Sequence, residues 1–399
     1  MSSELPPPTT GATSNSGPAS RFTASPASGF TSRPGAVGNP PLHYGNPLGE
    51  QRALAAGEAI VDLSDRAVIT VTGPDRLSWL DSLTSQSLSG LTTGESAETL
   101  LLDPTGRIEH AIRVVDDGQT TWLLVDGSQG QPLAAWLERM RFMLRVEVAD
   151  RTADFATIGT LGTLGAPGAP GTPGTPGAPG VTWVDPWDHA PGHQYALGRP
   201  DAPWTYREML VPRGTDLSAY PAAGTLALEA LRIAAWRPRL ATEGDEKSIP
   251  HELDWLRSAV HLNKGCYRGQ ETVAKVHNLG HPPRRLVMLH LDGTVPAAGA
   301  EVSVPRAAAE ATVPEVSVGA DRGSDATGTV VGRVTSSALH FELGPIALAV
   351  IKRNVDPTLD LVVTTDDGPI AAAQEVIVPT DAGAEANIPR LPRLGAVSR

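Results

Sequence analysis

The chain reads as an α+β protein that ends in a small β-barrel. Two observations carry this reading. Strand and helix patterns follow one another as β-α-β-β-β-α-β over residues 66–150, which suggests an α+β domain with an antiparallel sheet. From Arg285 onward only short strand patterns appear, separated by glycine turns, as in a small barrel. A length of 399 residues, with 40% hydrophobic and 19% charged residues, supports packed cores in two or three domains.

Each element has its own warrant. Residues 1–48 are rich in Ser, Pro, Gly and Thr and poor in apolar residues, so a disordered tail is expected, with an interaction tail as the alternative. "RAVITVTG" (66–73) is a β-branched strand. Pro74-Asp75 opens a helix carrying Leu77, Leu80 and Leu83, since proline suits the first helical turn. The stretch 98–126 gives three strands, turned at Asp103-Pro104-Thr105-Gly106 and at Asp116-Asp117-Gly118. "QPLAAWLERMRF" is a second helix and "LRVEVAD" a further strand.

From Gly159 to Gly180 glycine recurs every third residue, as in collagen. A stable triple helix needs three chains and many more triplets, so the tract is expected as an expanded loop between two strands. "LALEALRIAAW" (226–236) is a helix stopped before Pro238. "RPRLATEGDEKSIPHELDW" (237–255) has no clean period; it is either a functional irregular segment or a surface loop with ordinary charges. Trp236 and Trp255 bracket it and read as core residues rather than a stacking site. "RLVMLHLDG", "GTVVGRVTSS" and "IALAVIKR" are the barrel strands. The expected organisation is a tail at 1–48, an α+β region at 49–283 with an insert at 159–180, a barrel at 284–378 with an insert at 305–328, and a tail at 379–399.

Composition narrows the function. A formal charge of −12 repels phosphate backbones and argues against general nucleic-acid binding. One cysteine excludes an intrachain disulfide and fits a reducing cytosol. No apolar run reaches the roughly 18 residues that a membrane span needs. The start "MSSELPPPTTGATSNSG" lacks the basic and apolar regions of a signal peptide. A cytoplasmic protein without a membrane partner is expected.

The single cysteine, Cys266, lies in "HLNKGCYRGQETVAKVHNLGHPPRRL" (261–286), which also holds two of the four lysines, Lys264 and Lys275. Gly269-Gln270-Glu271 could start a helix ending near Gly280, although β-branched Thr272, Val273 and Val276 leave a strand open. A helix start together with Lys264 and Arg268 would favour a thiolate at Cys266. The alternative is a small buried hydrophobe. Cys266, His277 and His281 offer a metal-site pattern, but Gly280 and Pro282 break the helix that would align them, and no metal is expected.

"KGCYRGQE" (264–271) resembles the signature of the YgfZ family, folate-binding proteins related to the glycine-cleavage T-protein, an aminomethyltransferase. The resemblance spans residues of about 50–375, including "LLLDPTGRIEHAIRVV" and "GRVTSSALHFELGPIALAVIKR". It implies a T-protein-like ring of α+β subdomains around a central cavity that holds tetrahydrofolate. It implies Cys266 as the catalytic or reactive group, facing that cavity. Lys264, Gly265, Tyr267, Arg268, Gly269, Gln270 and Glu271 would contact the cofactor or shape its pocket. The implied role is a cytoplasmic accessory protein in iron–sulfur cluster assembly or repair, serving enzymes such as tRNA-modifying methylthiotransferases.

Departures from the T-protein pattern bear on activity. Where the T-protein has a catalytic aspartate, "GRIEHAIR" has His110 and Ala111; where it has a pterin-binding glutamate, "RIAAW" has Ala234. Glu109, offset by one, would point to the opposite strand face. Aminomethyltransferase activity of the T-protein kind is therefore the alternative, and a binding module without thiol chemistry is the third reading.

Overall fold

The computed structural model describes residues 29–162, 180–196, 203–305 and 328–386. It opens with a short hairpin, β1 (Val37–Gly38) and β2 (Pro41–His43), and helix α1 (Pro47–Ala55). Strand β3 (Ile60–Asp62) leads to β4 (Ala67–Thr72), α2 (Arg76–Leu83), β5 (Ser96–Leu102), β6 (Ile108–Asp116), β7 (Thr120–Val125), α3 (Gly127–Met140) and β8 (Glu147–Asp150). The expected β-α-β-β-β-α-β order is present, and β4 to β8 form an antiparallel sheet of order β5-β6-β7-β4-β8. Its alternation sorts side chains by face: Ile69, Ile112, Val114 and Leu123 meet α2 and α3, whereas Val68, Val115, Trp122 and Leu124 turn to the main core.

The second sheet holds β9 (Phe155–Leu161), β10 (Thr182–Val184), β11 (Tyr206–Pro212) and β12 (Ala222–Ala223) around β3, in the order β10-β11-β9-β3-β12. The glycine-periodic tract thus joins β9 to β10, and its residues 163–179 lie outside the described residues. Helix α4 (Thr225–Ala234) follows, then the one-turn helix α5 (Leu240–Glu243) and α6 (Gln270–Leu279). α4 is buried on almost every side and packs against α1, β2 and the C-terminal strands, as an apolar alanine-rich helix requires.

Strands β13 (Arg284–Leu291), β14 (Glu301–Val304), β15 (Thr329–His340), β16 (Gly344–Lys352), β17 (Leu361–Thr365) and β18 (Gly368–Val376) close a six-stranded barrel of order β13-β16-β15-β14-β17-β18. Val287, Leu289, Ala347 and Ala349 fill it, while the alternate residues Leu286, Met288, Ile346 and Leu348 face outward into the main core. Each such buried side chain contributes about 1.5–3 kcal/mol, so docking of the barrel is built into the period-two pattern of its strands. The insert expected at 305–328 joins β14 to β15, and residues 306–327 lie outside the described residues.

Both tail boundaries need correction. Residues 29–48 belong to the fold: Phe30 is fully buried among Ile60, Ile158 and Val211, and Arg33 donates to the carbonyls of Leu217 and Tyr220. A segment poor in apolar residues can still anchor through one aromatic ring when a sheet face is there to receive it. At the other end, residues 379–386 pack on α6, with Ala382 buried. The rest of both expected tails, 1–28 and 387–399, lies outside the described residues.

Candidate functional site

A cavity of about 530 Å³ lies between the two sheets and α4. Strand β6 supplies Ala111 and Arg113, the turn before α3 supplies Asp126, β11 supplies Tyr206, and α4 supplies Glu229 and Arg232. The irregular run after α4 adds Arg237, Arg239 and Trp255. That run is therefore no surface loop: Arg237, Glu243, Glu252 and Asp254 are all buried.

Five arginines line the cavity, and each is matched by carboxylates. Glu208 is fully buried and receives Arg66 at 3.0 Å, Arg113 at 3.2 Å and the Tyr206 hydroxyl at 2.9 Å. Asp126 sits among Arg66, Arg113 (3.8 Å) and Arg239 (3.6 Å). Burial opposes its ionisation, yet these guanidiniums, Arg66 foremost, hold its carboxyl well below the usual range. Arg232 joins Glu243 at 2.9 Å and also Glu229. Arg237 bridges Glu98 (2.6 Å) and Asp185 (2.8 Å). Burial, and then the Glu98 charge, raise the Asp185 carboxyl above its ordinary value against the opposing pull of Arg237. Such a lattice adds little net stability, but breaking one pair strands a buried charge at about 3–5 kcal/mol. It fixes polar groups in place around a ligand-sized space. Trp204 and Tyr206 stack at 4.9 Å beside it and give a planar wall.

The cysteine segment lies elsewhere. None of residues 264–271 lines this cavity or a second one of about 160 Å³. α6 is helical, so the strand alternative for 270–279 falls away. Cys266 is an exposed free thiol ahead of α6. Lys264 does not line the cavity: its ammonium donates to the carbonyls of Asp81, Thr84 (2.9 Å) and Gln86 (2.8 Å), and so caps the end of α2. Tyr267 is buried, with the Lys264 ammonium 5.5 Å from its ring centre.

Arg268 pairs with Glu109 and lies over Trp136. Gly269, at φ +82°, lies so close to the Asp103–Gly106 turn that a Cβ would meet the Asp103 carbonyl oxygen at 2.6 Å. Gly265 has open space where its Cβ would be, so close packing does not explain it. Gln270 donates to the Lys264 carbonyl at 3.2 Å, and Glu271 is exposed in the first turn of α6, where the helix dipole favours an acid. Six of these eight residues thus brace the segment against α2, α3 and the β5–β6 turn or start α6. His281 meets the Ala382 carbonyl through Nδ1 at 2.9 Å, and His277 packs edge-on against His193.

Glu109 falls at a bulge where Leu101 pairs with His110 but Leu102 pairs with Ile108, and it reaches Arg268 rather than the cavity. Ala111 does line the cavity, whereas Ala234 lines the smaller one beside Trp204 and Phe341. Sequence reasoning missed Arg66, Glu98, Arg113, Asp185, Glu208 and Arg237. The available signal was a charge inside an apolar strand, as with Glu98 in "ETLLL" and Arg113 in "AIRVV".

Residues 41–165 match the GCVT N-terminal domain. The crystal structure of glycine cleavage system aminomethyltransferase T from Bartonella henselae superposes with a TM-score of 0.62, covering 85% of this chain and 91% of that one at 18% identity. This chain has a T-protein-like fold. Within that likeness, a chloroplastic Arabidopsis thaliana protein named provisionally as a transferase is 27% identical over 254 residues, 60% of this chain and 57% of its own. An aminomethyltransferase of Chlorobium phaeobacteroides is 27% identical over 100 residues, 25% of this chain and 27% of its own. The matched regions therefore span 57% and 27% of these curated relatives. Among the described residues, no helix is long and apolar enough to cross a membrane, and no three His, Cys, Asp or Glu side chains converge as a metal site requires.

Proposed function

We propose that this protein binds tetrahydrofolate in the arginine-walled cavity and acts as an accessory factor in iron–sulfur cluster assembly or repair. The observation that carries the folate half is the cavity itself: about 530 Å³, inside a T-protein-like fold, with a fixed polar lattice and a stacked aromatic wall. The accessory half rests on the YgfZ-like "KGCYRGQE" motif. Its thiol is exposed and separate from the cavity, so in this reading Cys266 meets a macromolecular partner from solvent. The proposed clients are cluster enzymes such as tRNA-modifying methylthiotransferases, in the cytoplasm.

The names of the Chlorobium relative and of the superposed Bartonella structure favour a second reading, aminomethyl transfer. That step needs a fixed charge at the reacting centre. His110 and Ala111, and Ala234, stand where the T-protein resemblance places its two carboxylates, which weighs against it.

The test is calorimetry of the full chain with tetrahydrofolate. Binding is expected in wild type and at least tenfold weaker in Arg113→Met. No heat with any reduced folate at millimolar concentration, equivalent to about −4 kcal/mol, would end the folate reading. Release of methylenetetrahydrofolate from an aminomethyl-lipoyl carrier at T-protein-like rates would favour the second reading. Complementation that survives Cys266→Ser would remove the thiol from the mechanism.

A further inference from the structure

The sheet of order β5-β6-β7-β4-β8 ends on an open edge. β8 pairs with β4 on one side, and no described strand lies on its other side. The Arg151 N–H donates to the Val68 carbonyl at 2.8 Å. By the alternation of an antiparallel ladder, Arg151, Ala149 and Glu147 turn their backbone groups to β4, and Val148 and Asp150 turn theirs outward. Among the described residues no backbone group pairs with these outward ones. Just before β8 stand three exposed apolar side chains in a row: Phe142 (79%), Met143 (97%) and Leu144 (42%).

An open edge is a template for another strand, and charges along it ordinarily block the addition. Here the charges block every register of self-pairing but one. Two copies related by a two-fold axis meet antiparallel, and their outward groups match only when the axis passes through a residue. An axis at Glu147, Asp150 or Arg151 sets that charge against its own copy. An axis at Val148 sets Arg145 opposite the second copy's Arg151. Like charges directly opposite destabilise a strand pair. An axis at Ala149 does the reverse. Val148 and Asp150 then exchange their outward hydrogen bonds across the copies. Glu147 falls opposite the second copy's Arg151, once on each side of the axis, at positions where facing side chains come closest. Glu147 is exposed, and Arg151 holds Asp154 through Nε while its guanidinium has further donors to give.

We infer that β8 is a self-complementary edge, through which two copies of this chain join their sheets across an axis at Ala149. The charge pattern of residues 145–151 selects the register, and the small side chain of Ala149 lets the strands meet at the axis. The apolar run Phe142–Leu144 continues from β8 past the second copy's 152–154 turn, and it supplies the apolar contact that a short edge strand lacks. Because the same patch serves both copies, the contact closes on a dimer and does not propagate into a fibre.

Sedimentation velocity of the full-length chain tests this. Wild type is expected to be dimeric at about 100 µM. Glu147→Arg and Arg151→Glu each set like charges together on both sides of the axis, and each should weaken the dimer at least tenfold. Mixed in equal amounts, the two variants should dimerise again, since each then meets its opposite at both positions. Mixing would not rescue a fold that either change had merely damaged. In a Cys266→Ser background, Ala149→Cys should cross-link into a dimer on mild oxidation, because the two thiols face each other across the axis. Ala153→Cys, off the axis, should not. A wild type that stays monomeric up to about 100 µM overturns the inference. So does a dimer that neither charge variant weakens, or a pair of folded variants that stay monomeric when mixed. If a charge variant fails to fold, the cross-link decides: Ala149→Cys that links no better than Ala153→Cys overturns the inference.

Discussion

Lys264 donates to three main-chain carbonyls at the end of α2, and two of those residues, Thr84 and Gln86, are buried. A methionine there would keep the bulk of the stem and leave these acceptors without a donor. Lys264→Met should cost about 3 kcal/mol, from more than one charge-assisted bond lost. Urea unfolding should show a lower midpoint at an unchanged slope; a shift under about 0.5 kcal/mol would mean that water replaces the ammonium freely. In the linear sequence the same lysine stands two residues from Cys266 and reads as its counter-charge. The fold sends its ammonium to the helix end, where three carbonyls accept from it and the Asp81 carboxylate lies at 3.5 Å.

Helix α6 was visible as a possibility between Gly269 and Gly280, but its support was not. Residues 382–386 strap its C-terminal end: the N–H groups of Ala384, Glu385 and Ala386 reach the carbonyls of Val276, His277 and Asn278 at 3.3, 2.9 and 3.2 Å. A helix end leaves such carbonyls unmatched unless something supplies donors. Gly383 makes the approach possible, since a Cβ there would meet the Gly280 carbonyl oxygen at 2.4 Å. Truncation after Pro379 should cost about 2–3 kcal/mol, three backbone bonds at about 1 kcal/mol each. It should also raise hydrogen exchange at the C-terminal end of α6 well above that of α3. Unchanged exchange in α6 would show that the helix stands without its strap.

At the scale of the whole molecule, buried titratable groups set the pH response. His251 is fully buried, and burial, then the nearby His277 charge, push its pKa down to about 3 against the opposing effect of the Val273 backbone. An unfolded histidine takes a proton near pH 6.5, so between about pH 3 and 6.5 the unfolded chain binds more protons. Its share of stability is present above about 6.5 and is lost as the pH falls. Asp254 acts in the opposite sense: burial lifts its carboxyl to about 7 despite Arg257, so its share is present in acid and fades as the pH rises through that value. The decisive quantity is therefore the difference between wild type and His251→Gln. Between pH 7 and pH 5 wild type should lose about 2 kcal/mol relative to the variant. Parallel stability curves for the two proteins would show that His251 is not neutral in the folded state.

Local periodicity determined a great deal. The patterns in residues 66–150 and 285–353 were enough for β4 to β8 and for β13, β15 and β16 of the barrel, because the side-chain period of a strand is a property of neighbouring residues; β14, β17 and β18 were not read from the sequence. The break at Pro238 and the turn at Asp103–Gly106 were fixed in the same way. The cavity was not, because its wall is assembled from distant segments: Arg237 and Glu98 are 139 positions apart, and Arg66 and Asp126 are 60 apart. Each of those residues, alone in its strand or loop, is a charge in an apolar setting with no stated partner. Only the packing of two sheets around α4 brings opposite charges within hydrogen-bond reach and encloses a space between them. The cysteine segment shows the converse: its residue types suggested a ligand site, and tertiary contacts turned most of them into braces for a helix and a turn.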